Sequence, residues 1–288
     1  MHLTPSWAFN VSTWSPSQAE WCRAMALVQA EERERLGKFR YRQDLVSSLV
    51  GRLLLRAFAV SVLGLRDNKR VKFVRTERGK PVLAAAEDGG WDYNVSHAGS
   101  WVVLAAGAGA RVGVDVMRTR DTRVERLEEF FRVMRRQFTE QEWACINEGG
   151  DTAEAARLAR FFRHWTLKES YVKAVGTGLN LDLRTLNFQL FEELDVSTIV
   201  SSTKLEINRE STSWKFEESV LDDEHVVSVA VHGGEDAAEG TQFTVLDIDK
   251  IFFLLTMDNS LKIESQLLRP VDDNDFIAFN NKDHPKPF

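Results

Sequence analysis

Cysteine is nearly absent from this 288-residue chain. Cys22 and Cys145 stand far apart, with no Cys-x-x-Cys or Cys/His spacing around them. That excludes a disulfide framework and a zinc knuckle. Long hydrophobic runs are missing too: no window approaches the roughly 20 apolar residues that span a bilayer, and residues 1–15 lack the charged start and apolar stretch of a secretory signal. No membrane association is expected, and the cytosol is the expected compartment. Cations do not dominate either, since 37 Lys+Arg stand against 43 Asp+Glu for a net charge of −6. Such a balance disfavours a protein that coats nucleic acid or an anionic surface, so any polyanion site must be local. Nor does a Gly-x-x-x-x-Gly-Lys-Ser/Thr loop or a Gly-x-Gly-x-x-Gly turn occur, which disfavours an ordinary P-loop NTPase.

What is present is a core. Hydrophobic residues make up 43% of the chain, with 8 Trp and 18 Phe, enough to bury one large domain or two modest ones. Trp7, Phe9 and Val11 alternate as in a half-buried strand over 6–14. Ser15-Pro16-Ser17-Gln18 then offers a hydroxyl N-cap at Ser15, with proline at the first helical position. The charged stretch from Glu31 to Arg42 reads as a solvated helix face or loop. A strongly apolar helix is expected from Asp44 to Leu65, carrying Arg52 and Arg56. Short strands follow around Val71 to Val74, Tyr93 to Val95, Trp101 to Ala106 and Val112 to Val116, with a basic turn from Arg75 to Pro81 and a turn at Ser96-His97-Ala98-Gly99.

The second half repeats the order. Thr139 to Glu142 forms a capping box and Asp151 with Glu154 marks another helix start. That helix runs through Phe161, Trp165 and Tyr171 to Gly176, and strands follow at Leu186 to Leu190, Trp214 to Leu221 and Val226 to Val231. Two more strands, Phe243 to Leu246 and Ile251 to Leu255, precede a polar end. The expected fold is therefore α+β, a pseudo-dimer of two similar lobes, each a small, mainly antiparallel sheet packed on a long helix. The expected division is 1–114, 115–260 and an extended tail over 261–288.

Several residues could carry chemistry. Asp115 sits among small and apolar neighbours in a strand, where an ionised carboxylate needs a cation or several donors. It is either a strand-end acceptor of turn NH groups or a metal ligand of the kind Mg²⁺ takes. Glu169 and Lys173, at i and i+4, share one helix face and are either a surface ion pair or the lining of a cleft. Lys168 reads as a snorkelling or locally paired side chain. Asn94, Ser96 and His97, with the cations between Arg75 and Lys80 and with Arg52, make an anion-binding inventory in which Gly79 permits close backbone approach.

The series Gly51-Arg52, Arg75-Thr76-Glu77-Arg78-Gly79-Lys80-Pro81, Asn94-Val95-Ser96-His97, Val112-Gly113-Val114-Asp115-Val116 and Trp165-Thr166-Leu167-Lys168-Glu169-Ser170-Tyr171-Val172-Lys173-Ala174 resembles the 4′-phosphopantetheinyl transferases. The likeness is to the larger, surfactin-synthetase-activating type and, within it, to the animal members, and it extends from about Trp7 to Val231. The resemblance implies a monomer with coenzyme A between two lobes, transferring phosphopantetheine to a serine of an acyl or peptidyl carrier domain. It also implies residue roles. Arg52, Arg75, Thr76, Glu77, Arg78, Gly79 and Lys80, with Asn94, Val95, Ser96 and His97, would hold the adenosine and its phosphates, His97 near the 3′-phosphate. Asp115 and Glu169 would hold Mg²⁺, or Mn²⁺ in its place. Glu169 would take the serine proton and Lys173 would neutralise the departing phosphate. Two departures from the family pattern are Met117, where bacterial relatives carry a second acid, and Ala98, where a polar residue is usual.

Implied partners are carrier domains of the fatty acid synthase and aminoadipate-semialdehyde dehydrogenase types. Such carriers are acidic, and Arg33 to Arg42, or the cluster Arg118, Arg120, Arg123, Arg132, Arg135 and Arg136, would meet them; Phe130, Phe131, Val133 and Met134 lie beside the latter as contact or core. Two other functions stay open on the residues: a non-catalytic coenzyme A-binding scaffold, and a metal-dependent pyrophosphate or phosphodiester hydrolase.

Overall fold

Two long helices with broad apolar faces are each laid against antiparallel strands. The computed structural model describes residues 5–65, 71–84, 90–120, 126–149, 154–178, 181–196, 198–234, 242–256 and 273–283. The elements are β1 (Ser6–Asn10), α1 (Gln18–Ala26), α2 (Ala30–Gly37), α3 (Arg42–Ser61), β2 (Phe73–Arg75), β3 (Pro81–Leu83), β4 (Trp91–Ala98), β5 (Trp101–Ala108), β6 (Ala110–Arg118), α4 (Leu127–Met134), α5 (Glu140–Ile146) and α6 (Glu154–Val175). They continue with β7 (Leu186–Gln189), β8 (Lys204–Ile207), β9 (Glu210–Ser211), β10 (Lys215–Asp222), β11 (His225–Gly233), β12 (Thr244–Val245), α7 (Ile248–Thr256) and α8 (Asp273–Asn280). The molecule is a mixed α and β protein with small, mainly antiparallel sheets.

One sheet has the order β12-β1-β5-β4 and another β10-β11-β6, while β2-β3 and β7-β8-β9 are small accessory sheets. Helix α3 packs on β4, β5 and α7, and α6 on β6 and β11. Leu49, Val50, Leu53, Leu54, Ala57 and Phe58 of α3 are fully buried, each large one contributing about 1.5–3 kcal/mol of burial. Strand β6 joins the two assemblies: it pairs with β11 and packs beside β4. There the Val112 amide donates to the Asp92 carboxylate at 2.9 Å.

Several boundaries differ from the sequence expectation. The α1 cap is Ser17, because Glu20 completes a capping box with it: Ser17 N donates to Glu20 Oε2 at 2.8 Å and Glu20 N to Ser17 Oγ at 3.3 Å. The first strand stops at Asn10, whose side chain turns the chain into a single 3₁₀ turn. Strand β4 runs through Ser96 and His97, and the turn falls at Gly99-Ser100, so His97 pairs with Val102 within the ladder. Gly99 has φ +54, and a Cβ there would stand 2.2 Å from His225 Nε2. Ile251 to Leu255 is helical, because Asp247 caps the Lys250 amide at 2.7 Å and Ile251, Phe252 and Leu255 bury one helical stripe. The polar end is not wholly extended either. Helix α8 docks Phe279 on Trp21 in a stack with centroids 4.0 Å apart. The proposed helix start at Asp151 and the residue Arg123 lie outside the described residues, as does most of the expected tail.

Candidate functional site

Gly113 decides how close α6 comes to β6. A Cβ at this position would meet the Ser170 carbonyl oxygen at 2.1 Å and the Ala174 nitrogen at 2.4 Å, both backbone atoms that cannot swing aside. That approach brings Asp115 of β6 against Lys173 of α6. Lys173 Nζ donates to Asp115 Oδ1 at 2.6 Å and to Ser96 Oγ at 2.7 Å, and Ser96 Oγ in turn donates to Asp115 Oδ1 at 2.8 Å. Three elements, β4, β6 and α6, thus converge on one charged triad.

Asp115 is buried, and among the described residues its Oδ2 has no hydrogen-bond partner. An orphaned carboxylate oxygen in such a place is costly unless something else satisfies it. Glu169 lies one turn before Lys173, half-buried, with no hydrogen bond formed to it among the described residues. Its carboxyl pKa is pushed up, first by burial and then by the charge of Asp115, with Lys173 opposing both. Two carboxylates that repel each other across a shared space, one with an orphaned oxygen, fit a hard divalent cation. Among the described residues no group of three or more His, Cys, Asp or Glu could hold a metal. The remaining positions of a Mg²⁺ ion would fall to water and ligand oxygens, which is its usual habit.

Glu169 and Lys173 open onto a cleft of about 740 Å³. Its other walls are Ser47, Ser48, Gly51 and Arg52 of α3, the β2–β3 turn with Arg75, Thr76, Glu77, Arg78, Gly79 and Lys80, and Asn94, Val95 and His97 of β4. Ser96 and Asp115 stand behind this surface, reached through Lys173. Along β4, Val95 faces α3, where a Cβ on Gly51 would touch its methyl at 3.3 Å, while Ser96 faces β6; Asn94, on the Ser96 face of the strand, nonetheless lines the cleft. The basic turn is shaped by its own backbone. Gly79 has φ +86, its amide donates to the Thr76 carbonyl at 2.8 Å, and its carbonyl accepts from Arg75 Nη1 at 2.9 Å. Arg78 Nη1 reaches the Gly176 carbonyl at 2.5 Å and Lys80 Nζ binds Asp92 Oδ1 at 2.5 Å. Gly176, with φ +68, ends α6 as expected. His97 is exposed on the cleft wall yet closely backed by protein, and its pKa is lowered by desolvation, then by Lys173; Arg52 also lowers it.

Sequence reasoning missed Glu32. It lies in the stretch read as a solvated face, but its carboxylate accepts from Arg52 Nε at 2.5 Å and Arg75 Nη2 at 3.4 Å. Its one local partner, Arg35 at i+3 and 3.6 Å, reads as an ordinary helix-face pair, and the two that tie it to the cleft stand 20 and 43 positions away. Lys168 is not a snorkelling residue: it is fully buried, bound to Glu142 Oε2 at 2.8 Å and to the carbonyls of Leu183 and Leu186 at 2.9 and 2.8 Å. All three ammonium protons are satisfied, so the pair anchors α6 on α5 and on the chain entering β7. Of the apolar group beside the second arginine cluster, Phe131 is core and Val133 is exposed next to exposed Arg132 and Arg135.

Residues 5–109 match the model described as "4′-phosphopantetheinyl transferase, N-terminal", and residues 111–230 match the "4′-phosphopantetheinyl transferase superfamily". The L-aminoadipate-semialdehyde dehydrogenase-phosphopantetheinyl transferase of Xenopus laevis is 36% identical over 280 residues, 96% of this chain and 91% of that protein. A phosphopantetheinyl transferase of a Thraustochytrium species is 40% identical over 238 residues, 82% of this chain and 80% of its own. The 4′-phosphopantetheinyl transferase of Bacillus subtilis is more distant, at 30% over 182 residues, 63% of this chain and 75% of that one. With two family models spanning most of its length and relatives alike almost end to end, this chain belongs to the 4′-phosphopantetheinyl transferase family.

Proposed function

We propose that the cleft between α3, the β2–β3 turn, β4 and α6 is where this transferase binds coenzyme A and passes its 4′-phosphopantetheine arm to a carrier-domain serine. The observation that carries the reading is the meeting of Lys173, Asp115 and Ser96 with Glu169 on a cleft whose facing wall is basic. The serine oxygen forms a bond to the β-phosphorus while the bond from that phosphorus to the bridging oxygen breaks, and adenosine 3′,5′-bisphosphate leaves with the electron pair. Glu169, half-buried on the cleft beside Lys173, accepts the serine proton. Lys173, aimed by Asp115 and Ser96, neutralises the departing phosphate. Bound by Asp115 and Glu169, Mg²⁺, or Mn²⁺ in its place, would supply further neutralisation of the pyrophosphate. Arg52, the basic turn, Asn94, Val95 and His97 hold the adenosine end, and a phosphate beside His97 would favour its charged form.

The same reading carries the coarser architecture further. The α3 and α6 assemblies are two lobes of a pseudo-dimer, divided near residue 114, with the second running to about residue 260, and the enzyme acts as a monomer in the cytosol. No helix among the described residues is long and apolar enough to cross a membrane. Its carriers are of the aminoadipate-semialdehyde dehydrogenase kind named in the Xenopus relative, together with fatty acid synthase carriers, met by the exposed arginines of α4 and the following turn. The test is incubation of the full chain with coenzyme A, Mg²⁺ and an apo carrier domain. The expected result is a carrier heavier by one phosphopantetheine, with Glu169→Gln slowing turnover by about 10²-fold or more. Release of the bisphosphate without any gain in carrier mass would overturn transfer and leave hydrolysis.

A further inference from the structure

Two side chains at the start of α2, from its N-cap Gln29 and from Glu32 in its first turn, fasten the basic turn from outside the cleft. Gln29 makes a strand-like pair with β2: its Oε1 accepts from Phe73 N at 2.7 Å and its Nε2 donates to the Phe73 carbonyl at 3.2 Å. Glu32 then joins the turn to α3, since Oε2 receives both Arg75 Nη2 at 3.4 Å and Arg52 Nε at 2.5 Å. Arg52 is locked in place, with Nε and Nη2 on Glu32 and Nη1 on the carbonyl and hydroxyl of Ser48 at 2.7 and 2.6 Å. Its guanidinium is anchored and lends the cleft charge in a fixed place.

The β2–β3 hairpin needs such fastening. Its strands are three residues each and, among the described residues, pair only with one another, and an isolated two-stranded ribbon of that length is not stable by itself. It also carries Arg75, Arg78 and Lys80 towards Arg52 and Lys173, so its cations repel those already lining the cleft. A carboxylate behind the arginines, only 13% exposed, offsets that repulsion at the point where hairpin and helix meet.

We propose that Glu32 is a positioning residue: by holding Arg52 and Arg75 from behind, it sets the hairpin to receive the donor's adenosine-end phosphate and so sets the preference for a donor carrying a 3′-phosphate. This rests on the cleft being the coenzyme A site. The reacting pyrophosphate belongs with Asp115, Glu169 and Lys173, which leaves the 3′-phosphate as the group for the hairpin to recognise.

The experiment compares coenzyme A with 3′-dephospho-coenzyme A as donors to an apo carrier, using the full chain and its Glu32→Gln variant. For coenzyme A, KM rises about tenfold, the worth of one charge-assisted contact, while kcat stays within about twofold. For the dephospho donor, KM hardly moves, so the preference for the 3′-phosphate shrinks about tenfold. A merely structural defect would lower both donors alike, and that result overturns the proposal. So does a lower KM for coenzyme A in Glu32→Gln, which would make Glu32 a competitor of the phosphate. Should Glu32→Gln fail to fold, Glu32→Asp carries the test, withdrawing the charge from Arg75 by one methylene with a smaller shift in the same direction. A wild-type enzyme that transfers normally yet ignores the 3′-phosphate would overturn the donor-site reading itself, whereas a discriminating wild type with an equally discriminating Glu32→Gln variant overturns only the role of Glu32.

Discussion

Glu169 is held where its own charge is unwelcome. Burial and the neighbouring Asp115 both raise its pKa, and Lys173 offsets them only in part. The folded state therefore keeps a proton that the unfolded chain gives up above about pH 4.5. Stability from this group is intact below that pH and drains away as pH rises through the interval between the unfolded value and the raised folded one. In the metal-free protein Glu169→Gln removes the penalty. The expected outcome is a melting temperature above wild type at neutral pH, with the gain vanishing near pH 4, while transfer is lost. A variant no more stable than wild type at neutral pH would show that the carboxylate is accommodated without strain. The contacts of Glu169 contrast with those of Glu218, a buried carboxylate bound by Arg163 at 2.7 and 3.0 Å and by Thr203 at 2.5 Å. One acid is satisfied within the structure, and the other has no hydrogen-bond partner among the described residues.

Among the elements, the contact between β6 and α6 matters most, because it sets the distance between Asp115 and Lys173. Gly113→Ala places a Cβ against backbone on both sides, so the helix must lift or the strand must bend. The expected cost is about 3 kcal/mol, at the upper end for overpacking. Turnover should fall further than the unfolded fraction accounts for, since a lifted α6 carries Lys173 and Glu169 away from β6. Urea unfolding and single-turnover transfer, measured on the same sample, check this; a stable variant with normal turnover would mean that the contact does not position the site. Local pattern made these elements readable. The 3.6-residue stripe of α3 and α6 and the strand of small residues around Asp115 each declare themselves within ten or twenty residues. Ile251 to Leu255 did not, because a five-residue apolar run fits strand and helix alike until its cap at Asp247 is weighed. The turn after Asn94 was misplaced for a similar reason: Ser96 and His97 have turn-like composition, but the ladder to Val102 and Val103 outweighs it.

At the scale of the whole molecule, the least legible features are those joining distant parts of the chain. The four motifs lining the cleft and the strand motif around Asp115 behind it could be read because each is contiguous, whereas the role of Glu32 could not, because its contacts with Arg52 and Arg75 are set by how α2 lies against α3 and the hairpin. The chain's end is a second instance. Its Asp- and Asn-rich composition reads as solvated tail, yet Phe279 of α8 is buried on Trp21, and the Arg42 guanidinium lies 4.2 Å from the same ring. Arg40 binds Asp283 Oδ2 at 2.9 Å, and Arg42 N donates to the Asp283 carbonyl at 3.0 Å. An eight-residue helix is not stable on its own, so its order depends on this docking. Phe279→Ala should therefore release α8 as a unit, exposing residues 273–283 to rapid hydrogen exchange while the buried face of α3 keeps its protection. The expected loss of global stability is about 3 kcal/mol, the lower end for a buried phenylalanine, because the detached helix need not leave a sealed cavity. Transfer measured below the unfolding transition should stay within about twofold, since the cleft wall on α3 begins at Ser47 and none of the cleft-lining residues belongs to α8. A large loss of transfer with stability unchanged would instead make the docked helix part of the catalytic assembly.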